Sequence, residues 1–426
     1  MKITEIIEKI KDGAYKDTFS MLYPQKTYDE SANRYTYLLN CYKELYGDEE
    51  VSIFSAPGRT ELSGNHTDHN HGKVLAAAVD LDIIAVAGKR ADEKIRLRSV
   101  GYESENTANL NRLDPKKSAK GSSNALIEGI ADYFNKNGYK TGGFNAYTES
   151  RVATGSGLSS SAAFEVVVGG VFSGLYNDGI VTPYELAVAG KYAENEFFGK
   201  PCGLMDQMAS AVGGVVAIDF DESSCGKAQI EKVDIDFNKH GYSLIVVNAG
   251  GSHADLTPEY ASIPAEMKSV AKVFGKDTLR YVNKEEFYKN IGAIRRKVGD
   301  RAVLRAIHFF DENDRVDVQR EALKKGDLET YFCGVEGSGN SSEYNLQNIY
   351  PCSSETERSI SLALAMAKKS GAKVARVHGG GFAGTIQAYV PTDKKEYFVE
   401  EMEKCFGENC CFVLSIRPCG FYTVIE

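Results

Sequence analysis

No stretch of the 426-residue chain approaches the ~20 consecutive apolar residues that a membrane-spanning helix requires. The first twenty residues, MKITEIIEKIKDGAYKDTFS, mix Ile with Lys and Glu at helical spacing and lack the apolar centre of a signal peptide. Cys-x-x-Cys pairs are absent too. The nine cysteines are odd in number and scattered, with Cys410 and Cys411 adjacent, so neither a disulfide framework nor a zinc site is expected. Reduced thiols in a cytoplasmic protein are the simplest expectation. Positive charge is not in excess: a formal charge of −9 and a pI near 5.5 argue against nucleic-acid and anionic-membrane partners. An anionic substrate would need positive groups gathered locally. Internal repeats and low-complexity linkers are missing, which excludes solenoids and implies that the parts of the chain pack closely.

What is present is ordinary globular composition, 42% hydrophobic and 26% charged, in a chain longer than one core usually supports. Residues 1 to about 48 read as helical, with Tyr35, Leu38, Leu39 and Tyr42 on one stripe. Strand-like runs follow at Val51–Phe54, Val74–Ala78, Ile83–Ala87 and Ile95–Arg98. A helix is expected over 123–137, a strand over 143–147, a buried helix over 162–175 and another helix over 184–199. Strands are expected at 212–218, 242–247, 374–377 and 385–390, around a largely helical and charged stretch from 261 to 325. The pattern is α+β with a boundary between 210 and 220, giving units 1–215 and 216–426.

Three segments carry chemistry. The run Gly155-Ser-Gly-Leu-Ser-Ser-Ser-Ala-Ala163 precedes an apolar helix. Its glycines let backbone N–H groups approach a phosphate, the helix start adds partial positive charge, and serine hydroxyls can donate to phosphate or ligate Mg²⁺. It has no Walker lysine, and serine fills the third position of a G-x-G-x-x-G fingerprint, which disfavours a P-loop NTPase and a dinucleotide fold. A small-residue turn with a serine cap is the plain alternative. The segment Ala56–Gly72 gathers Arg59, His66, Asp68, His69 and His71 in a turn-rich stretch. The histidine spacing suits neither one helix face nor one strand face, so hydrogen bonding to a polyhydroxylated ligand is a better fit than a metal. The third segment, His378-Gly-Gly-Gly-Phe-Ala-Gly384, permits close backbone approach to a ligand or to a neighbouring strand.

In order and separation these segments resemble the galactokinase branch of the GHMP small-molecule kinases. GRTELSGNHTDHNHG is similar to that family's GRxNLIGEHTDYNxG, ATGSGLSSSAA to its PxGxGLSSSAA, GGGFAG to GGGFGG, and Pro201-Cys-Gly-Leu-Met-Asp-Gln207 to PCGxMDQ. The resemblance covers residues 50 to 425. It implies a two-domain GHMP kinase fold of mixed sheets and helices with the site in the cleft between domains. It also implies ATP and Mg²⁺ as cofactors, and phosphorylation of the anomeric hydroxyl of galactose. In those terms Asp206 is the base and Arg59 the charge stabiliser beside it. Gly155, Ser156, Gly157, Leu158, Ser159, Ser160 and Ser161 cradle the phosphates. Ser161 and Glu194 hold the metal, Glu194 being chosen over Glu196 by the alignment alone. Asn65, His66, Thr67, Asp68, Gly203 and Tyr260 line the sugar site, Tyr260 resting on Pro258-Glu-Tyr260 as a likeness to SSEY.

The chain also departs from that pattern. Asn65 stands for Glu, Glu61 for Asn, His69 for Tyr, Ala153 for Pro and Ala383 for Gly, and Ala261-Ser-Ile-Pro264 replaces a basic run. An amide at position 65 removes a charge and so is expected to tolerate a carboxylated C6. Galacturonate, N-acetylgalactosamine or another pyranose is therefore an alternative acceptor, and a non-catalytic sugar sensor is an alternative of a different class. The oligomeric state is not legible.

Overall fold

The computed structural model describes residues 1–153, 155–200, 202–223, 226–250, 256–352 and 356–426. Thr154 of the Gly/Ser loop segment and Pro201 of PCGLMDQ lie outside them.

The chain opens with helices α1 (Ile3–Lys11), α2 (Lys16–Leu22) and α3 (Tyr28–Tyr46). Thr27 and Glu30 start α3 with reciprocal side-chain-to-backbone bonds, Glu30 N to Thr27 Oγ1 at 3.2 Å and Thr27 N to Glu30 Oε2 at 2.9 Å. Its stripe of Tyr35, Leu38, Leu39 and Tyr42 is buried, together with Ile3, Ile6 and Phe19, against the edge of the main sheet.

That sheet is built on β1 (Ser52–Ser63) and β2 (Lys73–Lys89), antiparallel along nearly their whole length. The first half of β2 also pairs with β6 (Val215–Asp219), which carries β7 (Gln229–Val233). Its second half pairs with β5 (Phe144–Ser150). Beyond β5 lie β3 (Lys94–Ser99), parallel to it, and β4 (Asn106–Asn109). On the other side β12 (Tyr422–Ile425) pairs with β1. A second, four-stranded antiparallel sheet has the order β11 (Cys411–Leu414), β8 (Tyr242–Asn248), β10 (Thr385–Pro391), β9 (Val374–Val377).

One sequence expectation is corrected here. The runs at 74–78 and 83–87 form one 17-residue strand, because the acidic residues that interrupt the apolar pattern are satisfied inside it. Asp80 accepts from Ser415 N at 2.9 Å, and Asp82 is enclosed by Arg34, Arg417, Ser55 and Tyr23. Strands from later in the chain, β6, β7 and β12, complete the sheet of β1 and β2. A terminal strand can close an edge opened hundreds of residues earlier, and nothing in local pattern signals it.

Helices α4 (Ser123–Lys136), α5 (Ser160–Tyr176), α6 (Pro183–Tyr192) and α7 (Met205–Val212) pack on the main sheet and share its core. The helix expected over 184–199 changes form after Tyr192, its last turn Ala193–Phe198 being a π-helix that carries Glu194. Such turns are rare and concentrate at functional sites. Helices α8 (Thr257–Val273), α9 (Lys284–Lys289), α10 (Ile291–Val298), α11 (Asp300–Lys325) and α12 (Leu328–Ser341) form a second layer. α13 (Ser359–Lys369) and α14 (Lys395–Phe406) cover the small sheet. Among the described residues no helix is long and apolar enough to cross a membrane.

Candidate active site

Arg59 lies within β1 rather than in a turn, and its side chain is 8% exposed. Its guanidinium grips Asp206 with two bonds, Nε to Oδ1 at 2.7 Å and Nη2 to Oδ2 at 2.6 Å. The third nitrogen donates to the carbonyl of Gly157 in the Gly/Ser loop. Asp206 occupies the first turn of α7, where a helix N-terminus favours an anion. Burial alone would push its carboxyl up. The Arg59 charge and hydrogen bonds, the Ser159 hydroxyl at 2.7 Å and the charge of Lys200 outweigh that and hold it below the ordinary carboxylate range. The carboxylate is therefore ionised, clamped, and about a third exposed, at 31% of its side chain.

The loop's geometry follows from its residues. Gly157 has φ +73°, and a Cβ there would sit 2.6 Å from Thr385 Oγ1, so glycine alone lets the loop lie against the start of β10. Ser159 is left-handed at φ 58° and does not cap α5; its hydroxyl turns to Asp206 instead. Among the described residues the hydroxyls of Ser160 and Ser161, at the head of α5, have no hydrogen-bond partner, and no side chain caps the helix. Ser156 and Leu158 face inward: Ser156 Oγ donates to Ala153 O at 2.6 Å, and Leu158 O accepts from Arg59 N at 2.9 Å. Gly155 is exposed with φ +78°. The arrangement leaves free backbone N–H groups and two hydroxyls at a helix start, which is anion-binding chemistry.

Beside the clamp opens a cavity of about 800 Å³ lined by Arg59, Glu61, Asn65, His66, Asp68, His69, Lys200, Gly203, Asp206, Tyr260, Lys268 and Gly380, among others. The sequence-expected residues Asn65, His66, Asp68, Gly203 and Tyr260 are thus brought together. Thr67 is not among them: it is buried, and its hydroxyl is held by the carbonyls of Gly64 at 2.9 Å and Lys73 at 2.6 Å, shaping the turn. His66 contacts the Gly380 carbonyl through Nε2 at 2.9 Å, and burial pushes its pKa down to about 4, so the ring is neutral and Nε2–H donates. Tyr260 OH donates to Gly381 O at 2.8 Å. Gly203 abuts Asp68 so closely that a Cβ would lie 1.8 Å from its Oδ2. The three histidines do not converge: His71 turns to Tyr281 OH at 3.3 Å, and among the described residues no trio of His, Cys, Asp or Glu could hold a metal.

Glu194, on the π-turn, is buried; Oε1 accepts from Lys200 Nζ at 3.2 Å and Oε2 from Gln207 Nε2 at 3.1 Å. Gln207 bonds Glu165 with the same nitrogen, at 2.9 Å. Glu165 is fully buried in α5; burial and then the charge of Glu194 push its carboxyl far up. Sequence reading passed over Glu165, Gln207, Lys200 and Lys268. A single acidic residue in an otherwise apolar helix was the one available signal for Glu165; Lys200 and Lys268 carry none, since isolated lysines are usually solvated.

Residues 40–89 match the family described as the galactokinase galactose-binding signature, and residues 125–214 the GHMP kinases N terminal domain. A galactokinase of Actinobacillus pleuropneumoniae serotype 5b is 32% identical over 375 residues, 86% of this chain and 91% of that protein. A galactokinase of Enterococcus faecalis is 28% identical over 390 residues, 89% of this chain and 96% of its own. Among solved structures, Lactococcus lactis galactokinase complexed with galactose superposes with a TM-score of 0.78 at 25% identity, over 90% of this chain and 98% of that one. Methanococcus jannaschii mevalonate kinase shares the fold at a TM-score of 0.60 and 17% identity, over 86% of this chain and 98% of its own.

Proposed function

The chain belongs to the galactokinase family of GHMP kinases, and from that membership we propose how its residues divide the transfer of the ATP γ-phosphoryl group to the anomeric hydroxyl of galactose. The enzyme is a sugar kinase whose substrates are ATP and a sugar. One observation carries the assignment of its centre. The Arg59–Asp206 clamp joins the phosphate-type loop, through Gly157 and Ser159, to the polar cavity holding Asn65, His66 and Asp68.

Phosphoryl transfer needs positioning and charge stabilisation more than a strong base, because bond breaking runs ahead of bond making. Asp206 suits this role. Held ionised by Arg59, it accepts a hydrogen bond from the attacking hydroxyl, orients it and takes its proton late. Arg59, permanently charged, stabilises negative charge on the transferring group from the same position. The loop from Gly155 to Ser161 and the start of α5 receive the phosphates, with Ser160 and Ser161 donating. Asp68, His66 and Gly203 form the acceptor wall, and Thr67 supports it from behind.

Ser161 and Glu194 supply only oxygen, as a hard divalent cation requires, and they would hold Mg²⁺ with phosphate oxygens and water completing its shell. The Ser161 hydroxyl engages no group among the described residues, which fits that role, whereas Glu194 must share its carboxylate with Lys200. Mg²⁺ when bound neutralises charge on the β- and γ-phosphates.

Two measurements test this reading. Purified enzyme with ATP should turn over galactose at least about 10-fold better, by kcat/KM, than glucose or arabinose. No turnover of any sugar, with nucleotide binding retained, would reject the kinase reading in favour of a sensor. Separately, Gly203→Ala forces the Asp68 carboxylate aside and is expected to raise the galactose KM by about 10- to 100-fold while leaving the ATP Kd unchanged. An unaltered galactose KM would remove Asp68 from the acceptor wall.

A further inference from the structure

Within GRTELSGNHTDHNHG two departures from the family pattern run in opposite senses: glutamate replaces asparagine at position 61, and asparagine replaces glutamate at position 65. In the folded chain these residues touch. Asn65 Nδ2 donates to Glu61 Oε1 at 3.0 Å and to the Gly379 carbonyl at 2.6 Å, and Asn65 Oδ1 accepts from Asn348 Nδ2 at 2.8 Å. Both neighbours of Nδ2 are acceptors, so the amide orientation is forced, and both of its N–H bonds are spent inside the protein. Asn65 is 1% exposed. Glu61 is 3% exposed and its Oε1 takes Arg376 as well as Asn65. Among the described residues its second oxygen has no hydrogen-bond partner, and Glu61 lines the cavity. It stands two residues after Arg59 on β1, on the same face of the strand, and therefore on the side of the reacting hydroxyl.

The geometry points to Glu61 as the carboxylate that accepts hydrogen bonds from the acceptor's hydroxyls, with Asn65 as the positioning residue that holds it. The acidic function of the segment has moved from position 65 to position 61 and has not been lost. This rests on the sugar-kinase reading and adds the substrate class to it. The cavity wall carries Glu61, Asp68 and Asp206 as carboxylates, while Arg59, Lys200 and Arg376 are committed to Asp206, Glu194 and Glu61. Lys268 is exposed. A sugar hydroxyl at the free Glu61 oxygen meets an acceptor; a carboxylate at that same point meets like charge. On this reading Asn65 does not open the site to galacturonate.

Steady-state kinetics on the full-length enzyme decide it. For Glu61→Gln the galactose KM should rise at least about 10-fold, with the ATP KM within about 2-fold of wild type, and the galacturonate-to-galactose ratio of kcat/KM should increase. An unchanged galactose KM and ratio would overturn the assignment. Because Glu61 also pairs with buried Arg376, a second set of variants guards against simple misfolding. Asn65→Glu places two carboxylates in contact and should lower the melting temperature and weaken galactose binding. The exchange variant Glu61→Asn/Asn65→Glu should recover at least half of both losses. An exchange variant no better than Asn65→Glu alone would show that the two residues do not act as a unit. Failure of the wild-type enzyme to use galactose would instead reject the proposed function, and the melting-temperature comparison would still read the pair.

Discussion

Asp206→Asn should reduce kcat by about 10²- to 10⁴-fold while the ATP Kd stays within about 2-fold of wild type. The amide keeps the size of the carboxylate, so the cavity wall and the start of α7 are preserved. It loses the negative charge proposed to receive the sugar's proton, and it can no longer satisfy both Arg59 nitrogens at 2.7 and 2.6 Å, because one of its two polar atoms is now a donor. On the proposed reading ATP meets the loop and α5 and does not depend on that charge, so binding and turnover should separate. Isothermal titration with a non-hydrolysable ATP analogue and a coupled ADP assay measure the two quantities. A kcat within 10-fold of wild type would sink the assignment of Asp206. Since Arg59 holds Asp206 below the ordinary carboxylate range, the base stays ionised through neutral and mildly acid pH. Any acid limb of kcat above that range should therefore persist unchanged when Asp206 is excluded as its source.

Asp82→Ala is the corresponding experiment on the fold. Asp82 is fully buried in the middle of β2 and faces two guanidinium groups, Arg34 of α3 and Arg417 just before β12. Tyr23 and Ser55 also donate to it. Its removal leaves two buried cations with one fewer counter-charge between them, a loss of about 3–5 kcal/mol. The same change frees the N-terminal helices and the C-terminal strand from the sheet at a single point. A clear drop in the urea midpoint is expected, and a midpoint equal to wild type would show that the network is not structural. By contrast Lys404→Ala, on the exposed face of α14 beside Glu400 and Glu401, should leave the midpoint unchanged. The pH dependence has a definite sign. Burial pushes the Asp82 carboxyl up, but Arg34 and Arg417 more than offset it, so its folded pKa lies below its unfolded one. The stability it contributes is fully present above the ordinary carboxylate range and is lost as pH falls below that range.

Much of the Gly/Ser loop's form was legible because its chemistry is local. A Gly/Ser run followed by an apolar helix specifies backbone N–H groups at a helix start whatever surrounds it, and the loop has that form. The acceptor side was legible only as composition. Asn65, His66, Thr67 and Asp68 are consecutive, but the turn that carries them sends Thr67 inward and the others toward the cavity, a division set by Gly64, Lys73 and Gly380. Reading position 65 alone suggested a lost charge. The structure adds that the amide there is bonded to the Glu61 carboxylate.

Taken alone, the sequence determined the family, the α+β class and the form of the Gly/Ser loop, because each depends on residue type and spacing over a few turns of chain. Tertiary structure decided which side chains meet. Arg59 and Asp206 are 147 residues apart, and Glu61 and Arg376 are 315 apart; no periodicity encodes such pairs. It also decided that β2, with Asp80 and Asp82 at its middle, is one continuous strand and that β12 closes the sheet begun by β1. The physical reason is common to all of these. A buried charge is tolerable only beside its partner, and the partner's place is set by packing of the whole chain.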